Sequence, residues 1–252
     1  MPRQSFAWWC FANRGVEDAA LLRQARKIGY EAVEQIPPAL FAHAADSGLA
    51  IAAHGAHESI SDGLNDPREH SRIKQEIHNS LALAVAHCIP RLIVFSGNRR
   101  DGLTDAEGAR NTARILSRVA PSAEEAGVTL VLEMLNSKVD HAGYQADHTA
   151  WGVDVCNQVG SPRVKLLYDI YHMQVMEGDV IATIQSKAAH VAHYHTAGVP
   201  GRHDLDGDQE LYYPAILRAI AATGYTGYVG HEFIPKGDPA QALEAAYRLC
   251  DV

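Results

Sequence analysis

Eight short β-type runs, at about 4–9, 31–35, 49–54, 91–96, 128–133, 164–169, 190–195 and 226–232, alternate with helical stretches along this chain. Helix-start signals stand between them, such as Asn65-Asp66-Pro67 before 68–88 and Thr104-Asp105 before 105–126. Eight strand–helix units use up all 252 residues, and no Pro/Gly/Ser-rich linker or low-complexity tract divides them. The expectation is an α/β chain forming a single (β/α)8 barrel domain over residues 1–252. An open doubly wound sheet is the rival. It would carry a glycine-rich first turn, whereas here Trp8-Trp9-Cys10 leads into Asn13-Arg14-Gly15.

Four of the later runs finish on a metal-type ligand: VTLVLE at Glu133, VKLLYD at Asp169, HVAHYH at His195 and GYVGHE at Glu232. In a (β/α)8 barrel the C-terminal strand ends build the catalytic face. One such residue could simply cap its strand. Three carboxylates and a histidine converging on one barrel mouth would repel and desolvate one another unless a cation neutralised them. The set is mostly hard oxygen with one imidazole, which favours Mn²⁺, Mg²⁺ or Co²⁺ and accepts Zn²⁺. No cysteine joins it, so an open catalytic site is preferred to a closed structural zinc. Glu133 and Glu232 could flank a substrate as acid and base, moving a proton between adjacent carbons through an enediolate.

The remaining candidates lie in the loops that follow the strands. His172 and Arg202 are candidate substrate contacts, Arg202 as a bidentate partner for a carboxylate. The alternatives are a helix-start hydrogen bond for His172 and an ion pair with Asp204 or Glu210 for Arg202. His54 after the third run and Trp8 after the first are further pocket candidates, with Trp9 and Phe11 beside Trp8. In a strand, neighbouring Trp8 and Trp9 would face opposite sides. Glu34, His57 and the stretch Ser96-Gly97-Asn98-Arg99 are weaker candidates.

A net charge of −8 with no basic cluster longer than Arg99-Arg100 argues against nucleic acid or an anionic membrane as partner and suits a small neutral or metal-neutralised substrate. With the proton-transfer chemistry above, the expected partner is a small hydroxy-carbonyl molecule. The N-terminal MPRQSFAWWCF lacks an apolar signal region, and no apolar run reaches membrane-span length, so a cytoplasmic protein is expected. Cys10, Cys88, Cys156 and Cys250 are scattered and read as small buried apolar residues. Apolar faces on helices such as 105–126 would suit a homo-oligomer.

At these residues the chain resembles the sugar isomerase/epimerase superfamily of metal-dependent, xylose isomerase-like barrels, most closely its hydroxypyruvate isomerase-like branch. The resemblance rests on SFAWWCF at the start, FSGNR at 95–99, LEMLNSKVDH at 132–141, YDIYHMQVMEGD at 168–179, HTAGVPGRH at 195–203 and HEFIP at 231–235. It implies one divalent metal on Glu133, Asp169, His195 and Glu232, with the two glutamates doubling as acid and base. It also implies substrate contacts from His172 and Arg202, and interconversion of hydroxypyruvate and tartronate semialdehyde. The chain departs from that branch in having histidine at 195, where glutamine is common. It departs from the ketose epimerases in having Ser137, Lys138 and Val139 where they carry a further glutamate. Alternative readings are a ketose 3-epimerase or related sugar isomerase, an inosose-type dehydratase, and a non-catalytic sugar- or metal-binding barrel. A nuclease of the same superfamily is disfavoured by the charge.

Overall fold

The computed structural model describes residues 2–252; Met1, the first residue of the expected domain, lies outside them. Eight strands are present: β1 Arg3–Ala7, β2 Ala32–Glu34, β3 Ala50–Gly55, β4 Arg91–Val94, β5 Thr129–Glu133, β6 Val164–Asp169, β7 Val191–Thr196 and β8 Tyr228–His231. They follow one another in sequence order as a closed parallel barrel, as the strand–helix alternation predicts. The helices are α1 Trp8–Phe11, α2 Asp18–Ile28, α3 Phe41–Asp46, α4 His70–Ala86, α5 Asp105–Ala126, α6 Thr149–Val159, α7 Ile170–Met176, α8 Val180–Lys187, α9 Tyr213–Ala222 and α10 Pro239–Cys250.

Helix α5 has the bounds its end signals predict. The Thr104 side chain accepts from the Glu107 amide, the Glu107 carboxylate accepts from Thr104 N, and Gly127 closes the helix at φ +69°. The first run differs. β1 stops at Ala7 because Ala12 N already donates to Trp8 O at 2.9 Å, so Trp8 and Trp9 belong to a helical turn. The strand argument for opposite orientations therefore does not govern that pair. Cysteines 10, 156 and 250 are buried as expected, but Cys88 is exposed beyond the end of α4.

The described residues form two compact units, 2–52, 179–188 and 193–252 in one, and 53–178 and 189–192 in the other. In the first, β1 pairs with β2 and β8, setting Ser5 opposite Ala32 and Gly230, and Ala7 opposite Glu34. Edge-on aromatic contacts tie its strand exits together: Phe6 to Tyr30 at 5.4 Å and to Phe11 at 5.9 Å, and Phe11 to Phe233 at 5.1 Å. Such pairs contribute roughly 0.5–1.5 kcal/mol each beyond their buried area. They fasten α1 to the segment leaving β8, which is where Glu232 stands.

In the second unit, β4, β5 and β6 align Ile93 with Val131 and Glu133 with Leu167. Ala53, Ile93, Val131 and Leu167 form a buried cluster. Side chains two apart on a strand share a face, so Glu133 rises above Val131, and Asp169 above Leu167. The apolar layer thus carries the two carboxylates on rigid backbone. No described helix is long and apolar enough to cross a membrane.

Candidate functional site

In the first unit, Glu232 directly follows β8 and is 3% exposed. Trp9 Nε1 donates to its Oε1 at 3.0 Å, Gln35 Nε2 to the same oxygen at 2.9 Å, and Arg202 Nη2 to Oε2 at 2.5 Å. The Arg202 guanidinium lies 5.4 Å from the centre of the Trp9 ring, within cation–π range. Burial pushes the Glu232 carboxyl upward, but His195 and Arg202 outweigh it and hold the group well below the usual carboxylate range. Arg202 therefore pairs with a buried strand-end glutamate; of the loop acids, Asp204 accepts from the Lys236 backbone N–H and Asp206 from the Lys236 ammonium. Among the aromatic candidates it is Trp9, 44% exposed, that touches Glu232, while Trp8 is buried in α1.

His195 lies one residue before the end of β7 and is fully buried. Its Nε2 donates to Glu34 Oε2 at 2.9 Å, and His193 Nε2 donates to the same oxygen at 2.9 Å. Ser5 Oγ donates to the other Glu34 oxygen. Burial raises the Glu34 carboxyl, but the two imidazoles win and keep it ionised below its ordinary range. The sequence ranked Glu34 as a weak candidate; the structure makes it the partner that orients His195. Gly230 leaves the room this requires, because a Cβ there would lie 2.4 Å from Glu34 Oε1 and 2.9 Å from His195 Cδ2. With its proton on Nε2, His195 turns Nδ1 to Glu232 Oε2 at 3.2 Å. Two electron-rich atoms at that distance share either a proton or a cation.

In the second unit, Glu133 ends β5 and Asp169 ends β6, 4% and 1% exposed. Asp169 also starts α7: its Oδ1 accepts from His172 N at 3.0 Å, while Oδ2 lies 3.7 Å from His172 Nε2. His172 is fully buried, and its Nδ1 meets Asn136 Nδ2 at 2.7 Å. Neither Asn136 nor Asp140, which accepts from Asn136 Nδ2 at 2.6 Å and from Tyr171 OH at 2.8 Å, was singled out from sequence. The triplet that departs from the epimerase pattern has structural contacts: Ser137 donates to Asp147, and Lys138 caps the last carbonyls of α7.

The weaker candidates separate. His54 is half-buried on β3, and burial lowers its pKa. His57 accepts from Phe95 N at 2.9 Å, and Arg99 grips Asp147 through both terminal nitrogens at 2.9 and 3.0 Å, so both serve loop structure.

In the first unit the ligand atoms of Glu34, His193 and His195 lie within 4.8 Å of one another, and so do those of His195 and Glu232; in the second unit those of Glu133 and Asp169 do. Glu34 is already satisfied by its hydrogen bonds from Ser5, His193 and His195. Carboxylates and an imidazole at buried strand ends suit a hard divalent cation by their donor chemistry, which neutralises charge that burial would otherwise penalise.

Known proteins bear on this arrangement. Over 142 residues the chain is 35% identical to a 2-oxo-tetronate isomerase of Cupriavidus necator, covering 55% of this chain and 54% of that protein, so the match spans about half the relative's length. It is 27% identical over 239 residues to a Homo sapiens protein provisionally named hydroxypyruvate isomerase, covering 89% of this chain and 86% of that one. Its fold matches a Brucella melitensis structure described as AP endonuclease, family 2, with a TM-score of 0.86, 24% identity and coverage of 96% and 97%. A family model spans residues 22–250, from within α2 to the end of α10, and by that match the chain belongs to the Xylose isomerase-like TIM barrel family.

Proposed function

We propose that this protein is a metal-dependent isomerase that interconverts a small hydroxy-aldehyde and hydroxy-ketone, with hydroxypyruvate and tartronate semialdehyde as the pair. The observation that carries the reading is that buried metal-type ligands stand at strand ends of both units, Glu133 and Asp169 in one and His195 and Glu232 in the other. The relatives named as isomerases of small keto and hydroxy acids support the reaction class. In this reading those four residues hold one divalent ion, Mn²⁺, Mg²⁺ or Co²⁺ by donor type. When bound, the ion supplies a positive charge that polarises the substrate carbonyl and acidifies the neighbouring C–H.

The chain's own residues do the rest. One of Glu133 and Glu232 removes the proton from carbon and the other returns a proton to its neighbour. The environment of Glu232 suits the removing role, because the Arg202 guanidinium on one oxygen and the Trp9 and Gln35 N–H groups on the other favour its carboxylate form. Arg202 brings the positive charge that a substrate carboxylate needs, and the half-exposed Trp9 ring gives the substrate a flat apolar wall. His172 contacts a substrate oxygen.

The test is a proton NMR assay in D2O of the Mg²⁺-loaded protein with hydroxypyruvate, 2-oxo-tetronate and a ketose panel, against an EDTA-treated control. Metal-dependent uptake of deuterium together with isomer formation is expected on a carboxylate-bearing substrate. Turnover confined to neutral ketoses would replace this reading by the epimerase alternative, and loss of hydroxyl as water would replace it by the dehydratase.

A further inference from the structure

Asn136 has only one orientation open to its amide. Its Oδ1 accepts from Val139 N at 3.0 Å and Asp140 N at 2.9 Å. Flipping the amide would aim an NH2 group at two backbone N–H donors, so Nδ2 is the nitrogen that faces Asp140 Oδ2 and His172 Nδ1. An NH2 group offers only donors. His172 Nδ1 must therefore accept, and the ring proton sits on Nε2, the edge that lies 3.7 Å from Asp169 Oδ2.

The surroundings reinforce this assignment. Asp140 is held in place by Tyr171 OH at 2.8 Å, so the acceptor for the other Nδ2 hydrogen is fixed. The His172 ring is packed edge-on between His141 at 5.3 Å and Tyr171 at 5.0 Å, and it is fully buried. The network spans three stretches of chain: the loop after β5 carries Asn136, Asp140 and His141, Asp169 ends β6, and α7 carries Tyr171 and His172.

We propose that Asn136 is a positioning residue that fixes His172 as its Nε2–H tautomer, so that His172 donates a hydrogen bond to the substrate oxygen and does not serve as a base. The second half of this statement rests on the reading of His172 as a substrate contact; the first half does not. A donor aimed at an oxygen that gains negative charge as the neighbouring C–H is broken is stronger in the transition state than in the ground state. Its loss should therefore fall on kcat more than on KM.

The test is the ¹⁵N NMR signature of the His172 ring in the full-length, Mg²⁺-loaded protein, assigned with His172→Gln. The wild type should show a protonated Nε2 and an unprotonated Nδ1. The double variant Asn136→Asp/Asp140→Asn keeps the side-chain sizes and the net charge of the pair. It also retains an oxygen for the Val139 and Asp140 amides, but it presents an acceptor to Nδ1. The signature should then invert, with kcat falling about a hundredfold, the scale of one lost oxyanion donor, and KM changing little. A wild-type ring protonated on Nδ1 overturns the proposal even if the variant fails to fold, and an uninverted signature in a folded variant overturns the role of Asn136. An inverted signature with kcat unchanged removes the donor role of His172 while leaving the tautomer assignment and the isomerase reading standing. Absent turnover in the wild type, with the signature as stated, counts against the proposed function alone.

Discussion

Glu34→Gln should weaken metal binding without touching any proposed ligand. The Glu34 carboxylate accepts from His193 and His195 through Oε2, both at 2.9 Å, and from Ser5 through Oε1. An amide of the same size keeps only one acceptor oxygen for these three donors, and its NH2 must face at least one of them. The charge that makes the His195 ring a better donor through Nδ1 is also lost. Partners of this kind behind a metal-bound imidazole are worth about 10–100-fold in affinity, or roughly 1.4–2.7 kcal/mol. Calorimetric titration of Mn²⁺ or Co²⁺ into EDTA-stripped protein reads the change directly. Gly230→Ala reaches the same pair by another route, because its Cβ would meet Glu34 Oε1 at 2.4 Å and His195 Cδ2 at 2.9 Å. Glu34 is fully buried at the core of this cluster, so thermal melts of the stripped variants must first show that they fold. Folded variants that both bind the ion within twofold of the wild type would refute the assignment of His195 as a ligand oriented by Glu34.

Glu133→Gln and Glu232→Gln should each abolish turnover while leaving the far-UV spectrum and melting cooperativity intact; measurable isomerisation by either would remove it from the acid/base pair. Stability should fall on acidification through the buried His57, whose pKa burial lowers from 6.5 to about 4. The folded chain keeps this ring neutral while the unfolded chain takes up a proton, so its contribution is whole above pH 6.5 and shrinks as the pH falls towards 4, by roughly 3 kcal/mol in all. Urea melts across this range should show a shallower acid limb in His57→Gln, which retains an oxygen acceptor for Phe95 N; a parallel limb would sink the attribution. Thr104→Ala removes the side-chain half of the α5 capping box and should cost about 1 kcal/mol at neutral pH, seen as a lower melting temperature with unchanged metal affinity.

What could be read from the sequence and what could not divide along a physical line. The barrel and its strand ends were legible because period-2 patterning and helix caps are local: Glu133 and Asp169 close their strands where the hydrophobic runs stop, and Thr104 marks the start of α5. Trp9 stood among the pocket candidates, but the turn that carries it was not legible, since a four-residue helical turn beginning at Trp8 has no periodic signature and the run of apolar residues looked like more strand. Glu34 and Asn136 were undervalued for a different reason. Each acts by orienting a histidine far away in sequence, 161 residues on for Glu34 and 36 for Asn136, and no spacing rule connects them. Chemistry at a single residue type can be inferred from a strand end, but the direction of a hydrogen bond needs both partners in place. Gly230 states the point most sharply: within the last run it looks like a weak spot in a strand, yet the carboxylate of Glu34 and the ring of His195 occupy the space its missing side chain leaves. The tautomers of His172 and His195, on which the proposed chemistry turns, are thus properties of the assembled barrel and not of the runs that predict it.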